Sequence, residues 1–411
     1  MSLGPIKLEL REHWRWWVTP KPLSEKPIHR WCIFPHSFSS ELVHALIEEW
    51  GLTPNDHILD PFAGAGTTIL AAKEKGIPAT GYDISPLAVL AARAKIAPYN
   101  ELRLKSLWTR LSRQINPALW NGTVREYPDL VRKALPGRFL SAFEAVDDAI
   151  QALESTVAEK HFFRLALLAL IPKYSRAVAE GGWLRWIDRR NSISTLPSSL
   201  ADNVRSMIAD IEAAGLSKRP LWKSKVADAR SLPDALAKYS AVVTSPPYPN
   251  RHDYTRVFGI ELMFGFLDWE QTRKLRYQSF HSHPEAHPTR PDASGYTEHP
   301  HLARAVAQIR RKEKDPRIGE MLEGYFLDLY LVLREVRRVC KRNARVAFVV
   351  GNARYQGIPI IVDELAAEIG EQAGLRFEKL LVARHRGNSA QQMGLYGREP
   401  SRESLVVFRR P

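Results

Sequence analysis

The sequence predicts an α/β fold built on a doubly wound, mostly parallel sheet, and three observations favour it. Residues 58–95 hold a short apolar run, a glycine-rich loop, a helical segment, a second apolar run and a second helical segment. That order is how doubly wound sheets begin. Two long segments, 99–221 and 249–320, break the alternation. Without them roughly seven predicted strands remain, the later ones at 222–227, 241–244, 345–351, 377–384 and 404–408.

The first half of the sheet has clear local signals. A polar turn at 53–56 precedes the first strand, 58–60, and the glycine loop then leads into a helix at 67–73. The second strand, 79–83, ends in an acidic residue, and an Ala- and Leu-rich helix follows at 86–95. This part therefore has a β-loop-α-β-α order.

The second half continues the alternation. Apolar residues recur at helical spacing in 325–341, and 345–351 is a strong strand. Residues 358–373 are predicted as a helix that ends at Gly374, a typical residue for a helix end. Two strands close the chain without a convincing helix between them.

The two interrupting segments have different patterns. Long amphipathic patterns at 140–153 and 161–179 predict that 99–221 is a helical insertion. Residues 249–320 are rich in His, Pro, Arg and Tyr with little periodicity, which predicts a loop-rich insertion.

The composition favours a globular protein of a reducing compartment. Two cysteines, Cys32 and Cys340, exclude a disulfide framework and a zinc site built from several cysteines. No apolar stretch approaches the ~20 residues of a membrane-spanning helix, and the first 17 residues lack a signal-peptide core. We therefore expect a cytoplasmic protein with no membrane partner.

The net charge of +14 is unevenly distributed. Residues 1–98 are balanced, with ten basic and ten acidic side chains, so the excess lies downstream, chiefly in 99–221 and 331–411. A basic surface confined to selected regions is typical of proteins that bind a polyanion. Charge alone does not distinguish this from a basic protein without such a partner.

The loop after the first strand is the first chemical signal. It runs Asp60-Pro61-Phe62-Ala63-Gly64-Ala65-Gly66-Thr67-Thr68, and its glycines let the backbone approach a ligand and expose N–H groups. Asp83, at the end of the next strand, is placed to accept hydrogen bonds from ribose hydroxyls. A dinucleotide site would fit this much, but the third glycine of its motif is missing because position 69 is Ile.

The second chemical signal is Ser245-Pro246-Pro247-Tyr248, directly after the apolar run 241–244. Two prolines prevent further strand pairing and stiffen the turn. A rigid turn at the carboxyl end of a parallel strand is where open α/β sheets bind ligands.

Together the two motifs resemble those of S-adenosylmethionine-dependent DNA amino-methyltransferases, in particular the Ser-Pro-Pro-Tyr enzymes that methylate the N4 amine of cytosine. Residues 29–38 also resemble the segment of that family that packs over the methionine moiety. The resemblance implies a seven-stranded Rossmann-like methyltransferase sheet whose last strand is antiparallel, with S-adenosylmethionine as the cofactor. The cofactor-binding residues it implies are Phe34, Pro35, Asp60, Pro61, Phe62, Ala63, Gly64, Gly66, Thr67, Thr68, Asp83, Ile84, Asp228 and Ala229.

The resemblance also implies roles for single residues and a division of the chain. Asp83 would hold the ribose and Asp228 the adenine amino group. The alternatives are a helix N-cap for Asp228 and a loop-capping acid for Asp60. Residues 1–98 would form the N-terminal part of a catalytic domain and 222–411 its C-terminal part. The insertion 99–221 is then a candidate for target recognition.

The implied catalytic residues are Ser245, Pro246, Pro247 and Tyr248. An exocyclic amine is a poor nucleophile because its lone pair is delocalised into the ring, and two acceptors aimed at its N–H bonds favour attack. The Ser245 hydroxyl and the Pro246 carbonyl could supply them, while Tyr248 offers a flat face to a base extruded from its stack. This chemistry needs no metal, and the histidines of 281–301 lack a metal-binding pattern, so a mobile loop is the better interpretation there.

Several alternatives stay open. Ser at position 245 is typical of cytosine-N4 enzymes and Asp of adenine-N6 enzymes, so the favoured product is N4-methylcytosine in DNA. The alternatives are an adenine-N6 DNA methyltransferase, an RNA base methyltransferase and a catalytically inactive nucleic-acid-binding protein. The expected partners are double-stranded DNA and a cognate restriction endonuclease. The residues expected at the nucleic acid are Arg251 and Tyr254, after the catalytic motif, and Arg185, Arg189 and Arg190 in a Trp- and Arg-rich stretch.

Overall fold

The computed structural model describes residues 8–120, 122, 125–188, 191–217, 219, 221–386 and 401–411. Within them the main sheet has eight strands, and two hairpins lie outside it. The sheet strands are β1 (Leu8–Leu10), β2 (Ile58–Asp60), β3 (Ala79–Asp83), β6 (Trp222–Val226), β7 (Tyr239–Thr244), β8 (Cys340–Gly351), β11 (Arg376–Arg386) and β12 (Ser401–Arg409). The hairpins pair β4 (Ala177–Glu180) with β5 (Trp183–Trp186), and β9 (Ala353–Tyr355) with β10 (Ile358–Ile360).

The strand order is β1-β11-β12-β8-β7-β2-β3-β6. The run from β8 to β6 is parallel throughout, and β12 is antiparallel to both of its neighbours. The predicted parallel-rich sheet with an antiparallel last strand is confirmed. The prediction of seven strands was one short, because β1 adds a parallel edge strand beside β11. Three residues carry too little periodicity to reveal a strand, so only the hydrogen-bonding edge of β11 defines this one.

Helices cover both faces of the sheet. Those packed directly on it are α1 (Ser40–Trp50), α2 (Thr67–Glu74), α3 (Pro86–Ile96), α14 (Arg317–Val339) and α15 (Val362–Gln372). Alternate residues of β7 point to opposite cores: Ala241 and Val243 to the core of α1, α2 and α3, and Val242 to the core of α14 and α15. Burial on both faces is why β7 has an uninterrupted apolar sequence.

The remaining helices belong to the two insertions. Those of 99–221 are α4 (Glu101–Gln114), α5 (Asp129–Ala134), α6 (Arg138–Ala152), α7 (Val157–Leu168), α8 (Ile171–Tyr174) and α9 (Leu196–Ala214). Those of 249–320 are α10 (Tyr254–Val257), α11 (Gly259–Gly265), α12 (Trp269–Gln278) and α13 (Pro300–Lys312). The hairpin of β4 and β5 is a feature of the first insertion that the helical pattern did not predict.

The structure corrects three further expectations. The loop-rich interpretation of 249–320 is wrong for α10 to α13; Pro300 starts a helix, since the first helical position tolerates proline. The predicted helix 358–373 begins later, at Val362, after strand β10. His281 and His283 are buried rather than part of an exposed loop. Among the described helices, none combines the length and apolar character needed to cross a membrane.

Candidate active site

The carboxyl ends of β2, β3, β6 and β7 meet at one edge of the sheet, because these strands are parallel neighbours. A cavity of about 140 Å³ lies there. Most of the residues predicted to hold cofactor or target line it, but Gly66, Thr68, Pro246 and Tyr248 do not. The predicted residues in its wall are Phe34, Pro35, Asp60, Pro61, Phe62, Ala63, Gly64, Thr67, Asp83, Ile84, Asp228, Ala229, Ser245, Pro247 and Tyr254.

Asp60 ties the glycine loop to the neighbouring strand. Its carboxylate accepts hydrogen bonds from the hydroxyls of Thr68 and Thr244, both at 2.6 Å, and from the Phe62 backbone N–H at 3.1 Å. Burial raises the pKa of this carboxyl to about 6, against the opposing effect of those donors. The loop-capping role weighed for Asp60 is therefore present in the structure, and it explains why Thr68 lies behind the cavity wall.

Two glycines shape the loop for different reasons. Gly64 has a φ of 49°, and its N–H donates to the Asp83 carboxylate at 2.9 Å. Gly66 has a φ of 85°, and an added Cβ there would lie 2.8 Å from the Ala92 Cβ. Gly66 thus lets α3 pack against the loop, which is consistent with its position outside the cavity wall.

Two backbone hydrogen bonds fix the orientation of the Asp83 carboxylate. Its two carboxylate oxygens each receive one backbone N–H, from Gly64 and from Ser85, both at 2.9 Å. Burial raises the pKa of this carboxyl to about 6. Each oxygen retains a lone pair for a ligand hydroxyl.

Part of the cavity wall is aromatic. Phe34 stacks on Phe258 with ring centroids 4.4 Å apart, and the Tyr254 hydroxyl donates to the Pro35 carbonyl at 3.3 Å. A cavity lined by aromatic rings and by two carboxylates suits a ligand that joins a flat apolar ring, a diol and a positive charge. The residues present therefore fit the nucleoside and sulfonium parts of S-adenosylmethionine.

Asp228 belongs to a buried ion cluster that the sequence did not indicate. The Arg230 guanidinium, 2% exposed, donates to Asp228 at 2.7 Å and to Asp328 at 3.1 Å. Asp328 is fully buried and also accepts from Arg290 at 2.7 Å. No helix follows Asp228, so the helix N-cap alternative is wrong. Its side chain instead accepts the Arg230 backbone N–H within a turn.

Ser245 directly follows β7 in the cavity wall. Its hydroxyl donates to the Val349 carbonyl of β8 at 3.1 Å. This bond fixes the direction of the hydroxyl proton and leaves the oxygen lone pairs to accept from a donor in the cavity. The seryl oxygen can therefore serve as a hydrogen-bond acceptor at this edge of the sheet.

Tyr248 is held by a chain of polar contacts. Its ring is 4% exposed, and its hydroxyl donates to Glu403 of β12 at 3.0 Å. Arg384 of β11 donates to the other Glu403 oxygen at 2.5 Å. Glu403 was not predicted at the site, although an acidic residue beside an apolar terminal strand is a signal in the sequence. The flat face predicted for an extruded base is therefore buried, and Tyr248 is outside the cavity wall.

The described residues among those predicted at the nucleic acid lie on neighbouring segments, but both arginines are already paired. Tyr254 lies in the cavity wall. Arg251 pairs with Glu313 at 3.0 Å, and Arg185 pairs with Glu180 on the β4–β5 hairpin at 2.5 Å. The remaining two predicted residues, Arg189 and Arg190, lie outside the described residues.

One group of potential metal ligands occurs in the described ranges: Asp253, His283 and Glu285 have ligand atoms within 4.8 Å of one another. Arginines already neutralise both carboxylates. Arg276 lies 2.8 Å from Asp253, and Arg256 lies 3.6 Å from Glu285. We assign no metal to this group.

Comparison with known proteins gives matches over most of the chain. A family model described as DNA methylase matches residues 7–93. The Type II methyltransferase M.BsoBI of Geobacillus stearothermophilus is 30% identical over 93% of this chain and 86% of its own length. M.AvaI of Nostoc sp. is 28% identical over 94% of this chain and 87% of its own.

A solved structure of geranyl diphosphate C-methyltransferase from Streptomyces coelicolor resembles the chain only distantly. It covers 90% of this chain and 79% of its own at 8% identity, with a TM-score of 0.34. No conclusion about this chain rests on so distant a likeness.

Proposed function

The chain belongs to the family of Type II DNA methyltransferases, and we propose that its reaction is methyl transfer to the N4 amine of cytosine. The substrate in this proposal is double-stranded DNA, read at a specific sequence, with the target base extruded into the site. The cofactor is S-adenosylmethionine, which supplies a methyl group on a positively charged sulfur when bound. We further propose a cytoplasmic enzyme with a restriction endonuclease of the same specificity as its partner.

The observation that carries the proposal is the hydrogen bond from Ser245 to Val349. The carboxylate of an acidic residue at position 245 would accept hydrogen bonds directly. A serine hydroxyl must first donate its proton to another group, so that its oxygen can accept from an amine. The bond to the Val349 carbonyl does this. The Ser245 oxygen then accepts from one N–H bond of the amine, which favours its attack. The Pro246 carbonyl, predicted as the second acceptor, is outside the cavity wall.

The other site residues bind and orient. Asp83 accepts from the ribose hydroxyls, and Asp60 supports the loop that borders the cavity. The Phe34 and Phe258 pair covers the apolar side and excludes water. Holding amine and methyl donor together in this way replaces a bimolecular encounter, which is a large part of the barrier reduction.

The test is single-molecule sequencing of DNA from cells that express the chain, with nucleoside analysis of the same DNA and of RNA. We expect N4-methylcytosine within one recognition sequence. Ser245→Ala should lose the modification, while Ser240→Ala, a matched change at the amino end of β7, should retain it. N6-methyladenine as the product would refute the base assignment. Modified RNA with unmodified DNA would refute the substrate.

A further inference from the structure

The hairpin of β4 and β5 lies against the loop that follows the catalytic motif. A Cβ added at Gly182, in its turn, would lie 3.2 Å from the Arg251 carbonyl oxygen and 3.5 Å from the His252 Cα. The His252 ring is 4.8 Å from that of His36, which in turn is 6.1 Å from the Tyr248 ring. The hairpin turn is therefore at the rim of the catalytic pocket.

Two large aromatic side chains of this hairpin face solvent. Trp183 is 53% exposed and Trp186 is 51% exposed, whereas Trp120 of the same insertion is 1% exposed. Side chains alternate along a strand, so the two exposed indoles stand on opposite faces of the hairpin. Trp183 follows the turn directly, and Trp186 is at the other end of β5. Trp183 is thus the large apolar side chain nearest the turn.

Two described cationic side chains near the hairpin turn are already paired. Arg185 stands on the same face as Trp183 and is neutralised by Glu180, and Arg251 is neutralised by Glu313. Among the described residues of this rim, a duplex therefore meets the exposed Trp183 ring and arginines that are already ion-paired. Aromatic rings bind nucleic acid by stacking on bases, which requires no charge.

We propose that Trp183 enters duplex DNA at the position vacated by the extruded target base and stacks on the neighbouring base pairs. The inference rests on the proposed function, because a base that reaches Ser245 from a duplex must leave a gap in the stack near this rim. A flat indole fills such a gap and offsets the cost of unstacking. The strand pairing fixes the backbone that carries Trp183 beforehand, so little backbone ordering is needed on binding.

The test uses the full chain with S-adenosylhomocysteine, so that no methyl transfer occurs. The probe is a duplex oligonucleotide of the sequence found by sequencing, with pyrrolocytosine, which fluoresces when unstacked, at the target. Trp183→Ala should weaken duplex binding and lower the extruded fraction by about 5- to 150-fold, the range seen for loss of one stacking aromatic. Trp183→Phe should restore most of the loss.

Three comparisons make the result specific. Trp186→Ala, which removes an equally exposed indole on the opposite face, should change duplex binding less than about twofold. On a single strand of the same sequence, Trp183→Ala and the unaltered chain should bind alike, because no gap exists to fill. S-adenosylhomocysteine should bind Trp183→Ala with unchanged affinity.

Equal losses in Trp183→Ala and Trp186→Ala, or an equal loss on the single strand, would overturn the inference. A chain that methylates DNA but never raises the probe fluorescence would also overturn it, together with the proposed extrusion of the base, and would leave the proposed methyl transfer intact. A chain that modifies only RNA would refute both. If adenine is the target, 2-aminopurine at that position replaces the probe, and the same outcomes apply.

Discussion

Lowering the pH from 7.5 to 5 should protonate Asp83, because burial raises the pKa of this carboxyl to about 6. Both of its oxygens already accept one backbone N–H each, from Gly64 and Ser85. A proton on either oxygen uses the lone pair that a ribose hydroxyl would need. The cofactor should therefore bind the ionised form of Asp83 and release a proton from the protonated form.

The size of the effect follows from that pKa. At pH 5, about one tenth of the free protein has Asp83 ionised, so the apparent Kd should be about tenfold higher than at pH 7.5. About one proton per cofactor should be released on binding at pH 5. Affinity is thus gained as the pH rises through about 6, and it levels off above pH 7.

Without cofactor, the raised pKa of Asp83 makes the folded chain less stable as the pH rises, whereas cofactor affinity increases with pH. The unfolded chain releases the Asp83 proton near its ordinary pKa of 3.8, whereas the folded chain holds it up to about 6. The contribution of Asp83 to the free energy of unfolding therefore falls as the pH rises between these two values. Cofactor binding to the ionised carboxylate should offset this loss of folding stability.

The assay is isothermal titration of S-adenosylhomocysteine at several pH values, in pairs of buffers with different ionisation enthalpies. Asp83→Asn should bind more weakly at pH 7.5 and lose most of the pH dependence. A residual dependence in that variant would belong to Asp60, whose carboxyl has a similarly raised pKa. A constant Kd between pH 5 and 7.5, or an unchanged dependence in Asp83→Asn, would refute the reasoning.

Three further predictions concern the surroundings of the site. Glu403→Ala should remove the buried carboxylate that accepts from the Tyr248 hydroxyl, which should cost about 1–3 kcal/mol of stability. The kcat should fall with cofactor affinity unchanged, and Glu403→Gln should recover part of the rate. Arg230→Met should cost about 3–5 kcal/mol in urea unfolding because it leaves a buried carboxylate underpaired, whereas Arg273→Met, in an exposed pair, should cost about 1 kcal/mol or less. Gly66→Ala should destabilise by about 2–4 kcal/mol through its positive φ and the helix behind it. Gly51→Ala, also at positive φ but with open space around it, should cost only about 1–2 kcal/mol.

The cofactor half of the site could be predicted because its signals are local. The run from Asp60 to Thr68 contains a strand end, a glycine loop and a helix start in sequence, and Asp83 ends the next strand. Parallel pairing of β2, β3 and β7 then places these strand ends together without further information. The alternation of strands and helices follows from the same kind of local signal, whereas the antiparallel last strand was implied by the family resemblance; both are confirmed.

The contacts around the catalytic motif could not be predicted, because they join distant parts of the chain. Tyr248 and Glu403 are separated by 155 residues, and Arg230 and Asp328 by 98. Which buried acid meets which donor depends on how helices and strands pack. A local sequence pattern does not indicate this pairing. The three-residue strand β1 and the β4–β5 hairpin were not predicted for a related reason, since short segments become strands only when a partner edge is present.

The position of β12 has a consequence for synthesis of the protein. Every other strand of the main sheet precedes it in the chain, yet β12 stands between β8 and β11. Until it emerges from the ribosome, those two strands have open edges, and Tyr248 lacks Glu403. The nascent chain should therefore remain incompletely folded, and dependent on protection from aggregation, until its final strand is made. Premature termination before residue 401 should then yield an aggregating protein rather than a weakly active one.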